Sequence, residues 1–201
     1  ASLGLLPGCG GGGVGTNGTG SPVAAGLSVG TVTGLGSVIV DGVRLDDSQA
    51  TVQVMRNGDD PEQGEVRLGQ RVSLEYASTG GGTVLQRIEL APSLTGVVNE
   101  RTDDTIGVLG QTVLVDADTS FDDNITGAAL SGLAVNAVVQ VSGARRADGA
   151  IQATRIEARP ATTQFKVRGT VSAMDTATRR FNVNALVVDY ASATLQDCSR
   201  E

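Results

Sequence analysis

Carboxylates are the main side chains in this sequence that could do chemistry. Asp116, Asp118 and Ser120 follow the spacing D-x-D-x-S, with which a calcium-binding loop begins. Such a loop needs Gly at its sixth position and Glu at its twelfth, and Phe121 and Gly127 stand there instead. Asp also starts turns, because its side chain accepts hydrogen bonds from nearby backbone N–H groups. We therefore predict turn capping rather than a metal site. The other acidic groups are expected to do the same: Asp46-Asp47, Asp59-Asp60 with Glu62, Asp103-Asp104 and Asp122-Asp123.

The composition excludes several kinds of enzyme. The chain has no histidine, which removes Ser-His-Asp and Cys-His catalysis and most zinc sites. Two carboxylates can hydrolyse a glycosidic bond, but a sugar-binding cleft normally offers aromatic platforms, and only 2% of the residues are aromatic. We expect a protein that is not an enzyme, with no catalytic residue, no metal and no cofactor. Its ligand-binding residues are unknown from sequence.

The charge balance argues against nucleic acid as a partner. Asp and Glu number 22 against 15 Lys and Arg, which gives a net charge of −7. Nucleic-acid binding depends on basic side chains that neutralise phosphates. We expect no nucleic-acid partner.

Two matching tripeptides, Arg87-Ile88-Glu89 and Arg155-Ile156-Glu157, lie on predicted strands. Alternation places Arg and Glu on the side opposite to the buried Ile. We interpret these pairs as a solvated face with cross-strand ion pairs rather than as a binding site.

The N-terminus indicates where in the cell the protein is located. Leu6-Pro7-Gly8-Cys9 resembles a bacterial lipobox, in which the Cys thiol receives a diacylglycerol, although Pro7 is unusual there. Residues 1–9 are interpreted as the remnant of a lipoprotein signal peptide, with the initiator Met and basic region missing, and 10–26 as a Gly-rich linker. The alternative is a Gly-rich tail with an incidental Cys. If the Cys9 sulfur carries lipid, it cannot form a disulfide with Cys198, and the disulfide partner of Cys198 is unknown.

From residue 27 onward a β-rich pattern repeats. Two-residue turns join β-branched runs in three hairpins, around Asp41-Gly42, Gly110-Gln111 and Asn184-Ala185, which favour type I′, type II′ and a positive φ at Asn, respectively. Three landmarks recur at spacings of 66, 67 and 68 residues: Gly30 and Gly96, Leu68 and Val135, and Arg87 and Arg155. Constant spacing indicates duplication. We predict an all-β chain of tandem, five-stranded Greek-key (OB-like) barrels of about 70 residues each.

The predicted boundaries give two complete units and one incomplete unit. Residues 27–91 form the first barrel, 92–159 the second and 160–201 a partial third, with Pro92 and Pro160 breaking the pattern. Segment 122–132 has room for one helical turn that plugs a barrel end. The third unit lacks its fourth and fifth strands, which should leave an apolar face that includes Val183, Leu186 and Val188 uncovered. Either the natural protein continues, which is the simpler alternative, or this unit borrows strands from a neighbour.

The arrangement resembles a domain-of-unknown-function family of tandem OB-like β-barrel repeats in bacterial envelope lipoproteins. The likeness rests on the Gly-rich tail after Cys9, the hairpin Val108 to Asp116, the strand Val139 to Gly143 and the closing segment Asp148 to Ile156, and it covers residues 1–195. It implies a barrel repeat and an envelope location, and it implies no activity.

These features predict an exported, lipid-anchored, non-enzymatic lipoprotein of the bacterial envelope, with interaction or spacer modules. It would reside in the outer membrane facing the periplasm, or at the cell surface. Its partners would be the membrane, through the lipid anchor, and other envelope proteins or a small ligand. The alternative function is a periplasmic lipoprotein that binds a small ligand or a carbohydrate. A pocket with convergent polar groups would favour that alternative.

Overall fold

The computed structural model describes residues 26–35, 38–48, 50–56, 60–63, 65–79, 82–161 and 164–194. The chain is all-β, as predicted, with a closed five-stranded barrel and two further sheets. Cys9 and Cys198 lie outside the described residues. Among the residues described, none belongs to a helix long and apolar enough to cross a membrane.

The first sheet contains seven strands in the order β3-β2-β1-β6-β7-β4-β5. Its strands are β1 (Gly26–Gly34), β2 (Ile39–Val40), β3 (Val43–Arg44), β4 (Thr51–Arg56), β5 (Asp60–Gln63), β6 (Arg71–Thr79) and β7 (Gly82–Leu90). Its buried apolar side chains are Val32, Val38, Val40, Val72, Leu74, Leu85, Ile88 and Leu90. The set is purely aliphatic, as a chain nearly free of aromatic residues requires.

The barrel closes between its first hairpin and its last strand. It contains β8 (Leu94–Arg101), β9 (Thr105–Val108), β10 (Gln111–Leu114), β12 (Val138–Arg145) and β13 (Ile151–Arg159). The order is β10-β9-β8-β12-β13, and parallel pairing of Val113 with Ile151 joins β10 to β13. The short β11 (Ser120–Phe121) also pairs with β13. Closure removes the unpaired edges of an open sheet.

Alternating Val and Ile side chains fill the barrel. Its fully buried core residues include Leu94, Val98, Ile106, Val108, Val113, Val139, Val141, Ile151 and Ile156. Burying one such side chain contributes about 1.5–3 kcal/mol. Between β11 and β12 the chain forms two 3-10 turns, Thr126–Ala128 and Leu130–Gly132, where one helical turn was predicted. Leu130 joins the core from this segment.

The hairpin turns agree only partly with the sequence predictions. Asp41 and Gly42 both have positive φ, as the predicted type I′ turn requires, and Asn184 has a φ of 52°. The type II′ turn predicted at Gly110-Gln111 is wrong. The turn residues are Leu109 and Gly110, both with positive φ, while Gln111 is a strand residue opposite Val108. Moving the turn by one residue changes the face on which the Gln111 side chain lies.

The strand pairings of the first sheet recur in the barrel at nearly constant spacing. The bulge between the last two strands also recurs: Gln86 in β7, opposite Glu75 and Tyr76, and Thr154 in β13, opposite Ser142 and Gly143, are the extra residues. The corresponding pairs are Gly30–Val72 and Gly96–Val139, Asp46–Val84 and Val113–Ile151, and Glu75–Arg87 and Ser142–Arg155.

The third sheet has three antiparallel strands, β15 (Val171–Asp175), β16 (Arg180–Val183) and β17 (Leu186–Asp189). The segment leading into it is interrupted, because β14 (Lys166–Val167) pairs with β8 of the barrel before β15 begins. The prediction that Val183 is uncovered is wrong. Val183 is only 5% exposed, because the barrel residues around Gln111 and Arg145 cover the turn beside it.

Candidate functional site

Buried polar side chains gather where the first sheet meets the barrel. Glu157 and Arg155 lie on the outer face of β13, yet Glu157 is 4% exposed and Arg155 is 8% exposed. The predicted solvated face is therefore wrong for this pair. The chain before β6, residues 65–70, covers the outer face of β13, and Gln70 is buried with the pair. We call the contact between this segment and β13 the first junction.

Glu157 is the acceptor at the centre of the first junction. The Gln70 side-chain amide donates to both of its carboxylate oxygens, at 3.1 and 3.2 Å, and Gln140 donates at 3.3 Å. Arg155 Nε lies 3.4 Å from one oxygen and Arg159 Nη2 lies 3.8 Å from the other. A buried carboxylate is tolerated only when it is paired and hydrogen bonded, and this one is both.

Backbone contacts hold residues 65–70 against β13. Thr154 Oγ1 donates to the Gly69 carbonyl at 2.6 Å, and Arg155 Nη1 donates to the Leu68 carbonyl at 3.3 Å. Gly69 has a φ of 79°, and a Cβ atom there would lie 2.4 Å from the Thr154 carbonyl oxygen. Glycine is thus required at residue 69 by both its backbone conformation and the close approach of β13.

Two arginines near the start of β6 also contact the barrel. Arg67 Nη1 lies 3.5 Å from the buried carboxylate of Asp122, and Arg71 Nη1 donates to the Gly143 carbonyl at 3.1 Å. Ser93 Oγ donates to the same carbonyl at 2.7 Å. The first sheet and the barrel are therefore held together by several charged and polar side chains, at the first junction and beside it.

A second polar junction joins the barrel to the third sheet and is centred on Gln111, which is only 1% exposed. Its amide nitrogen donates to the Val183 carbonyl at 2.7 Å, and its amide oxygen accepts from Asn184 at 3.0 Å and from Arg145 at 3.1 Å. Asn184 also donates to the Gly149 carbonyl at 2.8 Å. The turn of one hairpin is thus fixed to the barrel through amide groups.

Sequence reasoning found only part of the junctions. It singled out Arg155 and Glu157 but gave them the wrong environment, and it missed Gln70 and Gln111. The available signal for Gln111 was a polar residue directly after a glycine turn, inside the aliphatic hairpin Val108 to Val115. No comparable local pattern marks Gln70, because its partner Glu157 is 87 residues away in the sequence.

Asp46 and Asp116 cap turns, as predicted, whereas Asp122 is buried and contacts Arg67, and Asp59 lies outside the described residues. Asp116 Oδ1 accepts from the Asp118 N–H at 3.0 Å and from the Thr119 hydroxyl at 3.2 Å. Its Oδ2 accepts from the Gln152 side chain at 2.9 Å. The calcium-like sequence is thus a turn whose first carboxylate bonds to its own loop and to β13. Within the described ranges, no three His, Cys, Asp or Glu side chains are grouped as metal ligands.

Among the described residues, the exposed carboxyls of Asp46, Asp175 and Asp189 have pKa values below the ordinary value. The pKa of Asp46 is lowered by hydrogen bonds from the Ser48 hydroxyl and then its N–H. The pKa of Asp175 is lowered by the Thr178 hydroxyl and the N–H groups of Thr178 and Ala177. These bonds favour the ionised carboxylate, which is the capping form.

A comparison with known protein families finds one family that matches part of the chain. A family described as a domain of unknown function (DUF5666) matches residues 95–157. The match runs from β8 to β13 and ends on Glu157, so it covers nearly all of the barrel and the central carboxylate of the first junction. Neither a curated protein nor a solved structure matches the chain.

Both junctions connect two parts of the chain through polar side chains. The polar groups that converge at Glu157 and at Gln111 hydrogen bond to one another and to backbone carbonyls. Groups engaged in this way orient the parts that they connect. A small-ligand site would need such groups to converge on a space between them.

Proposed function

We propose that this protein is a non-enzymatic lipoprotein of the bacterial envelope whose tandem OB-like barrels serve as spacer or interaction modules, tethered through a lipid on Cys9. The observation that carries the proposal is the first junction. Gln70 and Glu157, both buried, bond across the contact between the first sheet and the barrel.

The corresponding strand pairings support the tandem arrangement. The bridge Asp46–Val84 in the first sheet and the pair Val113–Ile151 in the barrel are both parallel and lie 67 residues apart. Bulges at corresponding positions, at Gln86 in β7 and at Thr154 in β13, bend these two strands. Five short strands that curl around one aliphatic core, with a parallel contact between the third and the last, describe an OB-like unit.

The junctions support a spacer role. Domains joined by a short linker move relative to each other unless their interface restrains them. Here Thr154, Arg155 and Glu157 all contact the segment before β6, and the close approach at Gly69 leaves no room for a side chain. A chain of units coupled in this way holds a fixed length, which is what a spacer between a membrane and a partner needs.

Lipid attachment is tested in a bacterial host that expresses the chain behind a complete lipoprotein signal peptide. The wild type should incorporate labelled palmitate and sediment with membranes, and Cys9→Ala should do neither. Cys198→Ala is the matched control and should behave as wild type. Equal labelling of wild type and Cys9→Ala would contradict the anchor.

Rigid coupling is tested by measuring a distance between two spin labels. Both native cysteines are replaced by Ser, and spin labels are attached through Val43→Cys in the first sheet and Ala147→Cys in the barrel, two exposed positions. The labels should give one narrow distance distribution. Gln70→Ala combined with Thr154→Ala should broaden it. A broad distribution before these substitutions would contradict the spacer role and leave the lipid result unaffected.

A further inference from the structure

The loop before β6, which contacts β13, has a counterpart before β12 in the barrel. In both loops a residue with a positive φ donates its N–H to the first strand of its own sheet, and the carbonyl of the next residue accepts from that strand. The bonds are Gly69 to Val32 and Val32 to Gln70 in the first sheet, and Asn136 to Val98 and Val98 to Ala137 in the barrel, at 2.8 or 2.9 Å. The φ is 79° at Gly69 and 72° at Asn136. We call residues 67–71 the docking loop and residues 134–138 the barrel loop.

The two loops differ at the side chains with which the docking loop contacts the barrel. Their sequences are Arg67-Leu68-Gly69-Gln70-Arg71 and Ala134-Val135-Asn136-Ala137-Val138. Arg67, Gln70 and Arg71 each donate a hydrogen bond to the barrel. Aliphatic side chains take their places in the barrel loop, and these can form none of the bonds. The burial of the loops differs accordingly: Gln70 is buried, whereas residues 134–136 are exposed.

The residue with the positive φ is the second difference. Glycine adopts this conformation freely and asparagine more readily than most other residues, so Asn136 preserves the turn of the barrel loop. It does not preserve the room for docking. A Cβ at residue 69 would meet the Thr154 carbonyl oxygen, and asparagine carries a Cβ. A loop with Asn at this position therefore keeps its shape within its own sheet but cannot approach a closing strand as Gly69 approaches β13.

The barrel contacts the third sheet in a different way. The second junction is formed by Gln111 and Arg145 of the barrel with the Asn184 turn, and not by the barrel loop. Gln111 corresponds to Val43 of the first sheet, since each is the first residue after its hairpin turn. Each junction therefore depends on side chains that the corresponding positions of the other sheet lack.

We propose that the docking loop is the recognition element with which the first sheet selects the outer face of β13, and that the barrel loop is a version that cannot make this contact. Specificity comes partly from groups that clash with the wrong partner, and Asn136 supplies such a group. Of the two loops, only the docking loop can then occupy β13, so the barrel of a second copy does not compete for that strand. The inference rests on the spacer role proposed above and names the residues that fix the order of the units.

The test places the barrel loop in the first sheet. The transplant carries Arg67→Ala, Leu68→Val, Gly69→Asn, Gln70→Ala and Arg71→Val. The barrel forms the same turn with these residues, so β1 and β6 should keep their protection from hydrogen exchange. Only the contact with β13 should be lost. The narrow distance distribution between the spin labels at residues 43 and 147 should therefore become broad, because sheets without a restraining interface move relative to each other.

A single substitution isolates the close approach. Gly69→Asn keeps every polar side chain of the docking loop and should also broaden the distribution. Gly42→Asn is the matched control, because Gly42 has a φ of 78° and a Cβ there would meet nothing within 4 Å. It should leave the distribution narrow.

The outcomes separate this proposal from the spacer role. A narrow distribution in the wild type and in both loop variants would overturn the proposal alone, whereas a distribution that is broad already in the wild type would overturn both. If the transplant unfolds the first sheet, Gly69→Asn decides. Loss of protection in β1 and β6 in both variants would also overturn the proposal, because the loop would then be needed for folding rather than for docking.

Discussion

Each of the two junctions connects the barrel to a neighbouring sheet through buried polar groups, but the groups differ in charge. At the first, a buried carboxylate accepts from two amides and pairs with two guanidinium groups. At the second, the neutral Gln111 amide donates to the Val183 carbonyl and accepts from Asn184 and Arg145. A buried charge is costly when its partner is lost, whereas a buried amide loses much less. Loss of the central side chain should therefore destabilise the protein more at the first junction than at the second.

The strongest test of this comparison removes Glu157. Glu157→Ala leaves Arg155, Arg159 and Gln70 without their shared acceptor and should lower the free energy of unfolding by about 3–5 kcal/mol. Gln111→Ala at the second junction should cost about 1–3 kcal/mol. Urea denaturation measures both.

A surface acid is the control for these substitutions. Glu65→Ala removes a carboxylate that is 86% exposed and paired with Arg67, and it should change stability by less than about 0.5 kcal/mol. If Glu157→Ala costs no more than Gln111→Ala, the distinction between the two junctions is wrong.

A second test separates the close approach at the first junction from backbone strain. Gly69 and Gly42 have nearly the same φ, 79° and 78°. A Cβ at residue 69 would meet the Thr154 carbonyl, whereas one at residue 42 would meet nothing within 4 Å. Gly42→Ala should therefore cost only the strain of a left-handed conformation, about 1–2 kcal/mol. Gly69→Ala should cost clearly more.

The same pair should differ in where the damage appears. In hydrogen exchange, Gly69→Ala should raise the exchange rate around residues 65–72 and 154–157, on both sides of the junction, whereas Gly42→Ala should affect only its own hairpin. Equal costs for both substitutions would mean that β13 does not approach Gly69 closely in solution.

The sequence predicted what depends on local pattern. Alternation and turn residues were enough to predict β-rich segments, the aliphatic core and the capping role of Asp116, because these follow from neighbours in the chain. The environment of Glu157 was predicted wrongly, because Gln70 reaches it from 87 residues away and local alternation shows only that the side chain faces outward. The Gly110 turn was placed one residue late, because Leu109 adopts a positive φ that its residue type disfavours.

The burial of Val183 could not be predicted for a related reason. A partial barrel considered alone exposes its inner face, and the sequence contained no sign that the Asn184 turn docks on the second junction. Its partners Gln111 and Gly149 are 73 and 35 residues away, in another unit of the pattern.

The smallest expected effect is at the exposed carboxylate of Asp175. Water screens its charge, whereas the charge of the buried Glu157 is screened much less. The pKa of Asp175 in the third sheet is lowered from its ordinary value of 3.8, chiefly by the Thr178 hydroxyl. A lowered pKa in the folded state means that the stabilisation is complete above about pH 4 and is lost as the pH falls through the lowered value. A carboxyl-carbon NMR titration should therefore give Asp175 a pKa below 3.8. Thr178→Ala should move its pKa up toward that value and leave Asp189 in place, because the pKa of Asp189 is lowered by the Ala191 N–H and by Arg180. A Thr178→Ala variant in which Asp175 titrates as before would show that the hydroxyl is not the cause.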